Sequence, residues 1–390
     1  MKGICMSLHH RLFRARTGVV LAVCVATVVG LTACGSSSST SNAAASTTSS
    51  GSASPGTTSS SPTSTSTGAP VNVGIELVQS GLAFTQETQA GAQAAAQQFN
   101  AHLSVSAPTQ LDPTTAISQV SSALSQGAKG IAIADIPSSS WTRELSTALS
   151  QTNGDVVAFN SQPVAGTAKT YVGNSDIALG QKLAAAAIKA AHLGPNTTGQ
   201  VVISNCAPGA SLLAITVKGE VDTVKQLLPK ATIEPPFNSE ATPSANETAW
   251  QQEISAHPST VLALGTCDQD GDSMIKAKQS TGGKFAIGAS DLDPLVIKGI
   301  ADGTVAADLA QNWYLEGYTA VRMLIDAARN HTTPPAGWFQ PGTTVVTKAN
   351  VSTLETRDAS AAGLTTFYNP LIASFWSNIA AKAQPLSSAI

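Results

Sequence analysis

The sequence predicts an α/β protein made of two doubly wound, parallel-sheet lobes. Three observations predict it. From Val71 to Ala328, short apolar runs alternate with segments of helical spacing, the pattern of parallel strands with helices on both faces. About ten such strands fall into two sets. The 390 residues also exceed the roughly 250–300 at which a single core stops growing. A closed barrel, which needs eight strand–helix units in about 250 residues, is the second option.

The first seventy residues stand apart from that pattern. Arg11, Arg14 and Arg16 precede the apolar run Gly18–Gly30. Its thirteen residues fall short of the ~20 that span a bilayer, so 1–33 reads as a signal peptide. Leu31-Thr32-Ala33-Cys34 resembles a bacterial lipobox, with small residues before the cut and a thiol at Cys34 to carry lipid. Ordinary cleavage beside an incidental Cys is the alternative. Gly35–Gly68 holds 34 residues, 23 of them Ser or Thr and none charged. Such a stretch buries too little apolar surface to offset its ordering entropy, so 34–70 is expected to be a disordered tether. The expected location is therefore extracytoplasmic, held to the bacterial cell membrane by lipid.

Beyond the tether the elements follow in order. The first set of strands is Val71–Val78, Leu103–Ala107, Gly130–Ala134, Val156–Phe159 and the short Tyr171–Val172. Its helices are Thr85–His102, Pro113–Gln126 and Ser138–Gln151, with Asp112 as an N-cap before Pro113. The second set of strands is Gln200–Ser204, Thr232–Glu234, Thr260–Leu264, Phe285–Ile287 and Val305–Leu309. Its helices are Ser211–Leu228, Ser244–His257, Gly271–Ser280, Pro294–Ala301 and Leu315–Ala328. In open α/β sheets, ligands sit at the carboxyl ends of the strands, so the residues just after each strand are the ones to weigh.

Those strand ends carry a resemblance. Gly81-Leu82-Ala83-Phe84 with Gly91 form the first stretch, and Ala256-His257-Pro258 leading to Cys267-Asp268 the second. The third runs through Gly288-Ala289-Ser290-Asp291, Ala301-Asp302-Gly303, Ala310-Gln311 and Gly317-Tyr318. Together, from about Val71 to Asn350, they resemble the type I periplasmic binding proteins, in the ribose/galactose-type sugar-binding branch. The resemblance implies lobes joined by a three-segment hinge, with crossings near Ser175, Gln311-Asn312 and Gln340. The lobes would be 71–174 with 312–340, and 175–311 with 341–390.

The resemblance also implies site residues. Phe84 matches an aromatic that stacks on a sugar face, or it packs as core beneath its loop. Trp141 and Trp313 are aromatic candidates at the cleft lip and the hinge, with helix packing as the alternative. Asp268, Asp291 and Gln311 match positions that read sugar hydroxyls, since a carboxylate accepts two hydroxyl protons and an amide donates and accepts. Helix N-capping is the alternative for both Asp residues. The departures matter too. Asn160-Ser161 stands where such proteins show Asp-Arg, Ala214, Ile215 and Thr216 stand where they place an Arg, and Cys267 stands in place of an Asn. Without the bidentate forks of Arg, the expected ligand is small and neutral, a sugar or polyol.

Two cysteines remain once Cys5, Cys24 and Cys34 are set aside. If the second lobe winds 2-1-3-4-5, the strands ending near Cys206 and Cys267 are neighbours about 4.8 Å apart, close enough for a disulfide. Two free buried thiols are the alternative. Asp268, Asp270 and Asp272 imitate a calcium loop, but Gly271 is misplaced and Gln279 replaces the closing Glu. The His residues lack zinc spacing, and no P-loop or nucleophile elbow is present, so no metal, cofactor or catalytic residue is expected.

A net charge of −3 with 12% charged residues argues against nucleic acid as a partner. The expectation is a monomeric, lipid-anchored solute-binding protein that delivers its ligand to an ABC permease, and not an enzyme. A sensory or quorum receptor on the same fold is the first alternative. A surface hydrolase or lyase is the second. Leu371–Lys382 has apolar residues at helical spacing and is expected to pack on the second lobe.

Overall fold

The computed structural model describes residues 69–134, 139–152, 154–163 and 166–389, the side chains of 139–142 excepted. The expected signal peptide, Cys34 and the tether lie outside the described residues, but for residues 69 and 70.

In chain order the first elements are β1 (Val71–Glu76), α1 (Ala83–Gln98), β2 (Ala101–Ser106), α2 (Pro113–Ser125), β3 (Gly130–Ala134), α3 (Ser139–Thr152), β4 (Asp155–Phe159) and β5 (Thr170–Val172). Then come α4 (Asp176–Ala190), β6 (Gln200–Asn205), α5 (Ser211–Leu227), β7 (Thr232–Ile233), β8 (Phe237–Asn238), α6 (Pro243–Ala256), β9 (Thr260–Leu264) and α7 (Asp270–Thr281). The chain closes with β10 (Ala286–Ser290), α8 (Pro294–Asp302), β11 (Ala307–Gln311), α9 (Trp313–Asn330), β12 (Gly337–Phe339), β13 (Thr343–Val346), α10 (Val351–Asp358) and α11 (Ala361–Trp376).

The strands form two sheets. One has the order β12-β5-β4-β3-β1-β2 and is parallel throughout. The other has the order β13-β11-β10-β9-β6-β7, with β8 also on β6 and only β13 antiparallel. Both wind in the 2-1-3-4-5 sense with helices on both faces, which makes the fold two doubly wound lobes. Continuous apolar runs explain the inner strands: β3 is buried at every residue, as a strand covered on both faces must be. Helix α2 starts where Asp112 accepts the N–H groups of Thr114 and Thr115 at 3.0 and 3.3 Å, with Pro113 opening the helix.

Each lobe is centred on one close helix crossing. A Cβ on Gly91 of α1 would stand 1.9 Å from the Tyr314 carbonyl oxygen of α9, and one on Gly317 would stand 2.1 Å from that of Thr88. In the second lobe Gly180 of α4 and Gly219 of α5 face the carbonyls of Thr216 and Ile177 in the same manner, at 2.0 and 2.3 Å. Only glycine lets these backbones touch. Helix α4 is absent from the expectations above, although Gly180, Leu183, Ala184, Ala187 and Ile188 recur at helical spacing and are all buried.

The C-terminal segment corrects the assignment of 341–390 to the second lobe. Only β13 and α10 lie there, with Val351 and Leu354 in the core beside Val296. Helix α11 packs on the first lobe instead. Its Tyr368, Ile372 and Phe375 share a core with Tyr314, Tyr318 and Val321 of α9. The chain beyond it bridges Gln384 to Trp338 of β12 and buries Ala389 against Ala158 and Tyr171. The apolar stripe of α11 could serve either lobe; which one depends on the direction in which the two residues after α10 send the chain. Besides the passages from β5 to α4, β11 to α9 and β12 to β13, the chain thus crosses a fourth time, from α10 to α11.

Candidate functional site

The carboxyl ends of both sheets face one cavity of about 140 Å³, small beside the ~300–1,000 Å³ of sites for drug-sized ligands. Phe84, Asn160, Asp268, Asp291, Gln311 and Trp313 all line it. Trp141 lies in α3, and its side chain is outside the described residues.

The wall on the first lobe is aromatic. Phe84 occupies the first turn of α1 and Trp313 the first residue of α9. Their rings stand 4.8 Å apart and tilted by 40°, within the range of favourable aromatic pairs. The indole Nε1–H of Trp313 donates to Asp291 at 2.9 Å, which ties this wall to the second lobe.

The wall on the second lobe is acidic. Asp268 is 5% exposed, and its Oδ1 is buried without a hydrogen-bond partner. Burial pushes its pKa up, Asp293 and Asp291 push it further, and the backbone N–H of Ala83 at the start of α1 pulls it down. Burial raises Asp291 to about 7 against the opposing indole bond of Trp313. Neither residue caps the helix that follows it. Asp268 precedes α7, whose N-cap is Gln269, and Asp291 precedes α8, whose N-cap is Asp293. Asp291 and Leu292 both have positive φ, 72° and 41°. Non-glycine residues rarely hold such a backbone, and here it turns the Asp291 side chain toward Trp313.

A buried network holds the Asp268 loop. Asp270 accepts from Ser204 Oγ at 2.7 Å, Asn246 Nδ2 at 2.8 Å, Trp250 Nε1 at 2.7 Å and the Cys267 N–H at 2.9 Å. The middle member of the false calcium loop is therefore an anchor, and the described residues hold no group of three or more metal-ligating side chains. Beside it Cys206 and Cys267 form a disulfide with Cα atoms 6.3 Å apart. This joins the ends of the adjacent strands β6 and β9 in the cavity wall.

The hinge contributes polar groups. Asn174 donates to Gln311 Oε1 at 3.0 Å and accepts the Gly342 N–H at 3.1 Å, and Asn312 donates to the Pro341 carbonyl at 2.9 Å. Three crossings are thus stitched together directly beneath the cavity. Asn160, with φ of 64°, gives its N–H to Glu316 at 2.5 Å. Where the resemblance would place an Arg, Thr216 of α5 lines the cavity beside Leu212 and Leu213. Among the described residues lining the cavity none is Lys, Arg or His. Sequence reasoning missed Gln79, Thr266, Gln269 and Ser290. Gln79, Thr266 and Gln269 follow a strand and Ser290 ends one, the same signal that exposes Asp268.

A family model described as a periplasmic binding protein domain matches residues 73–332. The chain belongs to this family. No curated protein matches the chain. Among solved structures, a glucose-galactose binding protein from Geobacillus stearothermophilus aligns with a TM-score of 0.63 at 20% identity, over 72% of this chain and 98% of its own. A solute-binding protein from Burkholderia graminis, in complex with D-arabinose, aligns at 0.66 and 21%, over 73% and 97%. One from Agrobacterium vitis with bound D-fucose aligns at 0.65 and 20%, over 73% and 98%. The family and these neighbours are binding proteins, and the fold they share with this periplasmic binding protein places its cavity where open α/β sheets bind ligands.

Proposed function

We infer that this protein captures a monosaccharide-sized sugar or polyol between its lobes and hands it to a membrane ABC importer. One observation carries the reading. A tilted aromatic pair faces the buried carboxyl of Asp268, the partly buried carboxyl of Asp291 and an amide across a cavity of about 140 Å³. Aromatic faces suit the C–H face of a sugar, and carboxyls and amides suit its hydroxyls. The unpartnered Oδ1 of Asp268 gains its missing hydrogen bond from a ligand hydroxyl. The lack of Lys, Arg and His among the described lining residues disfavours a carboxylate or phosphate ligand. The sugars bound by proteins of the same fold, D-arabinose and D-fucose, agree with this chemistry. Phe84 and Trp313 form the stacking wall, while Asp268, Asp291, Gln311 and Asn160 read hydroxyls. The action is binding with hinge closure rather than bond chemistry. The basic segment, apolar run and Cys34 support an extracytoplasmic protein held to the cell membrane by lipid.

Thermal unfolding of the full chain with pentoses, hexoses and polyols tests the reading. A ligand at a hundredfold excess over Kd stabilises by about 2.7 kcal/mol, so at least one sugar raises the midpoint. If none does, the sugar reading is wrong.

A further inference from the structure

Outside the cavity, three elements meet at one buried cation. Arg357, near the end of α10, is 4% exposed. Its guanidinium lies 3.3 Å from Glu87 of α1, 3.2 Å from the Tyr368 hydroxyl of α11, and 2.5 and 3.0 Å from the two carboxylate oxygens of Asp358. The Tyr368 hydroxyl donates to Glu87 at 2.5 Å. Helix α10 belongs to the second lobe, whereas α1 and α11 belong to the first. The cluster therefore sits on the fourth crossing and spans the lobe interface.

Glu87 links this cluster to the ligand site. It lies one turn beyond Phe84 on α1. It also receives the Tyr314 backbone N–H in the first turn of α9, where the N-cap Asn312 makes no side-chain cap bond. A carboxylate at a helix N-terminus satisfies its open N–H groups and matches its dipole. Tyr368 stacks flat on Tyr314, with centroids 4.9 Å apart and planes within 5°. Trp313, the aromatic lid of the cavity, is the residue before Tyr314.

We propose that Arg357 is a positioning residue for the ligand site. Through Glu87 and Tyr368 it fixes the first turns of α1 and α9, and so holds Phe84 and Trp313 in register with Asp291 across the lobe interface. Removing one partner of a buried charge pair leaves the other uncompensated, so the first turns of α1 and α9 loosen together. The inference rests on the cavity being the ligand site, but its test does not need the ligand.

The test reads indole N–H exchange in the 15N-labelled full chain without sugar. Three indoles are hydrogen-bonded in different places: Trp313 to Asp291, Trp250 to Asp270, and Trp338 to the Gly173 carbonyl. In R357Q and in Y368F, the Trp313 indole exchanges about tenfold faster or more, while Trp250 and Trp338 keep their wild-type rates. R357K, which keeps the charge but not the fork, lies between. An unchanged Trp313 in either variant overturns the proposal, as does a parallel acceleration of all three indoles, which marks mere global destabilisation. If R357Q does not fold, Y368F decides, because it removes only one hydroxyl. Titration of the wild-type chain with D-arabinose, D-fucose, D-glucose and D-galactose is scored separately. Failure of all four counts against the sugar reading and leaves the indole result to judge the positioning role.

Discussion

Asp268 shows what a single residue costs and contributes in this cleft. A carboxyl that burial keeps protonated binds its proton more tightly folded than unfolded. The unfolded chain ionises near pH 4 and the folded one only at its raised value, so stability is lost as pH rises between the two. Asp268 is joined in this by Glu76, raised to about 8, and by Asp176 and Asp291, raised to about 7, each chiefly by burial. The unfolding free energy is thus expected to fall between about pH 4 and pH 8 in urea titrations at stepped pH; a rise across that window contradicts the assignment. Asp268→Asn, which needs no proton to stay neutral, is expected to be more stable than wild type by about 1 kcal/mol or more at pH 8, and nearly equal at pH 4. Asp268 was legible as a residue of the cavity wall because it follows a strand. The roles of Asp270 and Glu87 were not, because their partners come from Trp250, Asn246, Arg357 and Tyr368, at sequence distances that no local pattern encodes.

Two features at the scale of elements set how firmly the walls are held. The α1–α9 crossing is so close that Gly91→Ala must push the Tyr314 backbone away, shifting both helices that carry the aromatic wall. A loss of about 1–3 kcal/mol is expected by chemical denaturation, and an unchanged midpoint contradicts the close crossing. The Cys206–Cys267 bond closes a loop with a sequence separation of 61, which the chain-entropy account values at about 4 kcal/mol as an upper figure. Reduction by a phosphine is expected to lower the melting midpoint, and two free thiols in the unreduced, denatured chain would contradict the bond. Most strands and most helices were readable because each has an apolar run or a helical repeat of its own, whereas the short β8, β12 and β13 were not. The side taken by α11 was not, since its stripe of Tyr368, Ile372 and Phe375 suits either lobe and only the path after α10 decides.

At the scale of the whole molecule, two lobes of the same winding meet over one cavity and share four chain crossings. The alternation of apolar runs and helices made both lobes legible, and the rule that ligands gather at strand ends made the cavity legible. The fourth crossing was invisible because it depends on which surfaces remain uncovered after both sheets have formed. The central claim is that the cleft holds a sugar between the Phe84–Trp313 wall and the Asp268–Asp291 wall. Calorimetric titration of the full chain and of Trp313→Ala with D-arabinose, D-fucose, D-glucose and D-galactose tests it most directly. Saturable 1:1 binding of at least one sugar is expected, weakened about tenfold or more in Trp313→Ala, since a well-packed aromatic contact contributes upward of about 1 kcal/mol. The account is contradicted if none of the four binds the wild-type chain, or if Trp313→Ala binds as tightly as wild type.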